Sequence, residues 1–303
     1  MRANQWIPWV FVLLWSTGFT GAKLGLPYCG PFTFLAIRMA LTLLCFAGLV
    51  AALRPSWPTA PQMRRQWVSG GLLHGGYLGC LFAAIKLGVP AGLAALVMGL
   101  QPLLTAVLSW WLGEQRFRAV QWLGLALGLA GTALVIAGSK GLALSGNPGI
   151  AFVAAGLLMI TFGTLYQKRR GQGVHPLTGT FHQYLSAFCV TGLLALSFER
   201  GDKVVWSGEF IFALGWSVLM LSVLAVLLLM RMLRDGDVSR VAAYLYLVPG
   251  LTALQAWWLF GERLSALALG GMVMAAAGVA LVLRGGNSSS LNRPGRQTGA
   301  GKG

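Results

Sequence analysis

The sequence predicts an all-α integral membrane protein, with ten transmembrane helices arranged as two inverted five-helix repeats. Three observations point there. The first is composition: 56% of the 303 residues are hydrophobic and 10% are charged, with a mean hydropathy of +0.71. That leaves too little polar side chain to coat a water-soluble domain. The second is that ten apolar stretches are each long enough to cross about 30 Å of hydrocarbon, which takes roughly 17 to 25 helical residues. The third is that the halves repeat. Pro102-Leu103-Leu104-Thr105-Ala106 followed by Trp110-Trp111 is matched, 147 residues on, by Pro249-Gly250-Leu251-Thr252-Ala253 and Trp257-Trp258. Gly113-Glu114 returns as Gly261-Glu262 after a one-residue insertion, and Gly124 and Gly131 fall on Gly271 and Gly278 at the original offset.

In order, the predicted spans cover residues 7–24, 31–53, 67–87, 91–112 and 119–137, then 149–166, 177–198, 210–230, 238–260 and 264–283. The connections are short and carry helix breakers: Pro27, Pro31, Pro55, Pro58, Pro61, Pro90, Pro148 and Pro176. The first apolar run continues too far for a signal peptide, and no small-x-small cleavage site follows it, so it is expected to be a retained span. The repeats are expected over residues 1–145 and 146–284. Residues 285–303, with Gly285-Gly286-Asn287 and Ser288-Ser289-Ser290, have no apolar period and are expected to form a disordered cytoplasmic tail.

Charge sets the expected orientation. Placing the N-terminus inside puts 16 of the 23 Lys and Arg on the cytoplasmic side and six outside, with Arg38 left within a span. Short cytoplasmic loops carry such an excess, so both termini are expected in the cytoplasm, with the chain in the cell inner membrane. On a soluble protein a net charge of +16 would suggest nucleic acid. Here the bases occupy short loops, and no nucleic-acid partner is expected. Five spans per half is an odd number, so equivalent helices cross in opposite directions, about an axis in the membrane plane. Trp6, Trp9, Trp67, Trp206 and the two tryptophan pairs lie near predicted boundaries, as interfacial anchors do. Cys29, Cys45, Cys80 and Cys189 are scattered without paired spacing and read as small apolar fillers.

Several residues could carry chemistry. Pro102 and Pro249, with no N–H, each free a backbone carbonyl that must find another partner in the bilayer. Gln101, Tyr244 and Tyr246 flank these breaks. Trp15, Ser16, Thr17, His74, Tyr77, Thr161, Thr164 and Tyr166 sit at matching depth on other spans. A lining of this kind, aromatic and hydroxyl-rich with no fixed charge, suits a neutral or zwitterionic metabolite; each residue alone reads rather as packing. None of the seven acids falls mid-span, so the carboxylate relay of many proton-coupled carriers is missing. His74 could titrate there, or be a neutral histidine bonded to a neighbouring helix. Arg38 lies about 10 Å below the outer surface by helix rise. It could bind a substrate carboxylate or satisfy backbone carbonyls, and the second role is preferred. Gly124, Gly128 and Gly131, with Gly271, Ala275 and Gly278, put small residues on one helix face, for packing within a protomer or between two. The oligomeric state, monomer or homodimer, stays open.

Together Trp15-Ser16-Thr17-Gly18-Phe19, the stretch from Pro31 to Arg38, and the two Pro-to-Gly-Glu segments resemble the EamA-type branch of the drug/metabolite transporter superfamily. The resemblance covers about residues 6 to 284. It implies ten helices in two inverted repeats around a central cavity, and export or exchange of small metabolites, often amino acids, without ATP hydrolysis. It carries over Trp15 to Gly18, Arg38, Pro102, Glu114, Pro249 and Glu262. One departure is that the repeat counterpart of Arg38, seven residues past Pro176, is Gln183. The expected function is therefore a secondary transporter working by alternating access, with no cofactor and no metal. A membrane-embedded enzyme or sensor is the alternative, but no HExxH, DxxD, GxSxG or Walker lysine is present.

Overall fold

A computed structural model describes residues 6–113, 118–138, 146–234, 245, 247–262 and 265–287. All regular secondary structure among them is helical. Glu114, Tyr244, Tyr246 and all but the first three residues of the expected 285–303 tail lie outside the described residues.

In chain order the helices are α1 (Ile7–Gly25), α2 (Pro31–Leu53), α3 (Ala60–Lys86), α4 (Ala91–Trp111) and α5 (Ala119–Gly138). They continue as α6 (Gly149–Arg170), α7 (Pro176–Phe198), α8 (208–234), α9 (Val248–Phe260) and α10 (Ala266–Asn287). Six of them (α2, α3, α4, α6, α7 and α8) are long and apolar enough to cross a membrane. Within α5 and α10, shorter apolar runs cover Ala119–Gly131 and Ala266–Leu281. Several boundaries differ from the sequence reading: α6 runs four residues further, to Arg170, and α8 covers 208–234 rather than 210–230, while the expected start of the ninth span at 238 lies outside the described residues. Helix α3 starts at Ala60, seven residues early, because Thr59 and Gln62 form a capping box ahead of Pro61. Helix α10 runs on to Asn287, so the first three residues of the expected tail are helical.

The helix starts explain how the chain is tied together. Glu199, just past α7, accepts hydrogen bonds from the Phe32 and Thr33 amides at 2.9 and 2.7 Å and from the Thr33 hydroxyl at 2.7 Å. It thereby satisfies donors that the first turn of α2 leaves open. Glu262, just past α9, does the same for α4, accepting from the Ala91 and Gly92 amides at 3.3 Å each. The same carboxylate pairs with Lys23 at the end of α1, at 2.5 Å. Each of these caps crosses from the second half of the chain to the first.

Two kinds of irregularity recur in both halves. In α4 the helix breaks at Gly99–Leu100 and resumes at Gln101. Leu100 has φ −78° and ψ −9°, and Leu247, which precedes α9, has φ −77° and ψ −19°. Pro102 and Pro249 therefore occupy the second position of a new helical segment, where a missing N–H costs least. This corrects the picture of prolines kinking continuous helices: the turn residue, Leu100 or Leu247, lies two positions ahead of each proline. The other irregularity is a pair of wide-turn π segments, Gly71–Gly76 within α3 and Ser217–Ala225 within α8, in the third helix of each half.

Helices α5 and α10 form the most intimate pair. A Cβ on Gly131 would collide with the α10 backbone at Gly271 and Ala275, and one on Gly278 with the α5 backbone at Gly124 and Gly128. Moving up α5 from position 124 to 131 moves the contact down α10, so the two helices run antiparallel. The small-residue stripes thus pack within the protomer.

The main core gathers around Phe34, which packs on Phe82 and Phe210 with ring centroids 5.5 and 5.8 Å apart. All eight tryptophans expected as interfacial anchors keep at least 40% of their surface exposed.

Candidate functional site

Polar side chains that sequence places far apart converge between α2, α3, α7 and α8. Arg38 is buried, only 7% exposed, and its Nε donates to the Ser222 hydroxyl at 3.0 Å. The Tyr184 hydroxyl donates to the Ser222 carbonyl at 3.3 Å. The Tyr184 ring stacks on His74, with centroids 4.7 Å apart and an interplanar angle of 19°, and its other neighbour is Phe46 at 5.5 Å. Arg38 lies within electrostatic range of His74, Tyr77 and Tyr184. Gln183 meets His74 and donates to Gln66 Oε1 at 2.6 Å.

The wide turns explain why these groups meet. His74 belongs to the π segment of α3 and Ser222 to that of α8. An extra residue per turn rotates the following side chains out of the regular helical stripe, and such segments occur often at functional sites. Glycines permit the close approach on one side, since Gly70 lies against the Gln183 backbone and Gly75 against Val190. Arg38 and its repeat counterpart Gln183 therefore both lie beside the His74–Tyr184 stack.

A second polar seam joins α1 to α8 and α9. Gln255 donates to the Ser16 hydroxyl at 2.8 Å, and the Thr252 hydroxyl to the Ser16 carbonyl at 2.9 Å. Thr20 donates to Gln255 Oε1 at 3.2 Å, and the Trp216 indole to the Thr17 hydroxyl at 2.8 Å. In the other half, Gln101 donates to Thr164 at 2.9 Å, linking α4 to α6. Thr164 lies 147 residues past Thr17. Ser16, Thr17, Thr161 and Thr164 also return their own protons to carbonyls of their own helices, at 2.6 to 2.8 Å.

The sequence-nominated residues therefore fall into separate places. His74, Tyr77 and Arg38 share one cluster; Ser16 and Thr17 share the α1 seam; Gln101 holds Thr164. Trp15 packs on Phe11, with centroids 5.2 Å apart, at the edge of the apolar core. Tyr166 lies near the basic end of α6 and makes no polar or ring contact with either group. A groove of about 490 Å³ opens elsewhere, where the end of α2 meets the start of α7. Ala47, Val50, Ala51, Arg54, Pro55, Trp57 and Phe181 line it, and it includes none of the nominated residues.

Sequence reasoning missed Tyr184, Ser222, Gln66, Trp216 and Gln255. A signal existed for Ser222, the lone polar residue between Ser217 and Arg231. Another existed for Tyr184, which follows the counterpart of Arg38. With Arg38 in the cluster, the lining is not free of fixed charge, as the aromatic and hydroxyl residues alone suggested.

Comparison with known proteins agrees with this architecture. The EamA-like transporter family matches residues 5–137 and 147–284. An uncharacterized inner membrane transporter of Escherichia coli K12, YedA, is 29% identical over 93% of this chain and 93% of its own. An uncharacterized transporter of Bacillus subtilis, YvbV, is 26% identical over 89% of this chain and 88% of its own. A probable amino-acid metabolite efflux pump of Salmonella typhimurium is 25% identical over 92% of this chain and 94% of its own. Among solved structures, one crystal structure superimposes with a TM-score of 0.65 at 23% identity, covering 97% of this chain and all of the other. That last likeness concerns the fold alone.

Proposed function

Because the chain belongs to the EamA-like transporter family, we propose that it is a secondary transporter that exports or exchanges small metabolites, amino acids among them, by alternating access of two inverted five-helix repeats. The observation that carries this reading is the pairing of irregular backbone in the two halves. Leu100 and Leu247 share one conformation ahead of equivalent prolines, and the third helix of each half carries a wide-turn segment. Inside a bilayer, irregular backbone is tolerated where it is buried in protein or lines a cavity, and carriers place their sites there. The antiparallel α5–α10 contact supports inversion of the halves. The name of the Salmonella relative supports amino acids as cargo.

The ten helices then span the membrane with both termini in the cytoplasm, a placement supported by the uneven distribution of Lys and Arg. Reporter fusions after Arg170 and Arg284 are expected to behave as cytoplasmic, and one after Lys140 as periplasmic. The central test is counterflow in proteoliposomes without nucleotide. Vesicles preloaded with an unlabelled amino acid should accumulate the labelled one. Accumulation only with internal ATP, or none for any metabolite tried, overturns the reading.

A further inference from the structure

We infer that Arg38 is the anchor for a carboxylate on the transported molecule, so that the cargo is a monoanionic or zwitterionic acid. The inference rests on the transporter reading above and adds the chemical class.

A guanidinium carries five N–H donors in a planar fork. In this structure one is accounted for, the Nε–H given to Ser222. The terminal Nη1 and Nη2 have no hydrogen-bond partner among the described residues. They are also absent from the sealed, unpartnered polar atoms of the interior, which include both nitrogens of His182 and the hydroxyls of Thr42, Ser69, Thr105 and Ser217. The two ends of the fork are therefore not fully sealed, although Arg38 as a whole is buried.

No carboxylate among the described residues neutralises Arg38. Glu199 caps α2, Glu262 caps α4 and pairs with Lys23, Glu209 bonds Tyr28, and Asp202 lies in the loop after α7. A buried charge held by one neutral hydroxyl is costly unless a counter-charge reaches it in part of the working cycle. The groups around the fork, Tyr77, Tyr184, His74 and Ser222, bring no carboxylate. The single guanidinium charge is balanced by a single negative one. The planar fork fits either anion, but a phosphate dianion would leave an unbalanced charge in the same place, so the charge selects a carboxylate. The stacked His74–Tyr184 pair and Tyr77 offer an aromatic wall for the remainder of the molecule.

The test compares acids with their amides on the unaltered full-length protein in lipid nanodiscs, by titration calorimetry and thermal shift. The probes are the standard amino acids with L-leucinamide and L-phenylalaninamide, benzoate with benzamide, and phenyl phosphate. The expected result is that at least one acid binds, with its amide weaker by about tenfold or more, and that phenyl phosphate binds less well than benzoate. Arg38→Gln should erase the preference for acid over amide, and Arg38→Lys should recover part of it. Equal binding of acid and amide by the unaltered protein, no binding by any acid, or the same preference in Arg38→Gln overturns the proposal. Counterflow of an amine or a sugar with no preference for acids would remove the anchor and leave the transporter. Acid binding that depends on Arg38, without counterflow of any solute, would do the reverse.

Discussion

Gly131 on α5 and Gly278 on α10 are reciprocal: each is pressed against the backbone of the other's helix, and the partners exchange under the 147-residue offset. Gly131 meets Gly271 and Ala275, while Gly278 meets Gly124 and Gly128, so every contact has its image. Such self-complementarity belongs to a two-fold axis lying across the helices. Gly131→Ala or Gly278→Ala should therefore force the helices apart and cost about 1 to 3 kcal/mol. Gly270→Ala, with nothing nearby, should be neutral. Melting of the purified variants followed by tryptophan fluorescence checks this, and equal midpoints for all three would refute it.

Glu262 holds two jobs where Lys23 holds one. Its carboxylate caps α4 and neutralises Lys23, whose side chain is 35% exposed. Removing the acid leaves two amides and an ammonium without their partner. Glu262→Ala should cost about 1 to 2 kcal/mol, whereas Lys23→Met, which keeps its packing over the Phe260 ring, should cost less than about 1 kcal/mol. Thermal midpoints in detergent decide it. A larger loss in Lys23→Met would make the ion pair, not the cap, the dominant link.

Pro102→Ala and Pro249→Ala each supply a backbone N–H that a continuous helix would give to the carbonyl four residues earlier, on Met98 and Leu245. Because each proline already sits at the second position of its helical segment, stability should change by no more than about 1 kcal/mol. Continuous helices would close the breaks at Leu100 and Leu247, so transport rates should fall while expression holds. Rates equal to the unaltered protein in proteoliposomes would show the breaks to be incidental.

Cys29 lies between α1 and α2, and burial, reinforced by the nearby Glu199 charge, pushes its thiol up to about 12. The folded state therefore keeps the proton where the unfolded chain would release it near 9.0. The resulting stabilisation is fully present below about pH 9 and is lost as pH rises towards about 12. In a variant whose only cysteine is Cys29, alkylation at pH 8 should be about a thousandfold slower folded than unfolded. Equally rapid labelling in both states would count against it.

Much of the fold is legible in the sequence because apolar run length, proline spacing and loop charge are local signals. The small-residue stripes of α5 and α10, and the proline segments, announce themselves through the repeat. The wide turns in α3 and α8 do not, since an added residue per turn leaves hydropathy unchanged. The meeting of Arg38 with Ser222 depends on those turns, which is why Ser222 and Tyr184 went unnamed. The nominated residues divide among the Arg38 cluster, the α1 seam and the Gln101–Thr164 pair instead of lining one cavity. In sequence Glu262 is the end of a repeated Gly-Glu step and Glu199 an acid in or beside a loop; that each caps a helix of the other half needs the three-dimensional packing.

The hydroxyls of the α1 seam have a consequence for motion. Ser16, Thr17 and Thr20 each hold a carbonyl three residues back in their own helix, so drawing α1 away from its neighbours strands none of their protons. What such a parting uncovers is the other side of the seam: the indole N–H of Trp216, the amide of Gln255 and the hydroxyl of Thr252. An apolar zip would resist opening along its whole length. This one separates at the expense of three donors, and water entering the gap, or a passing solute with acceptor oxygens, can take all three.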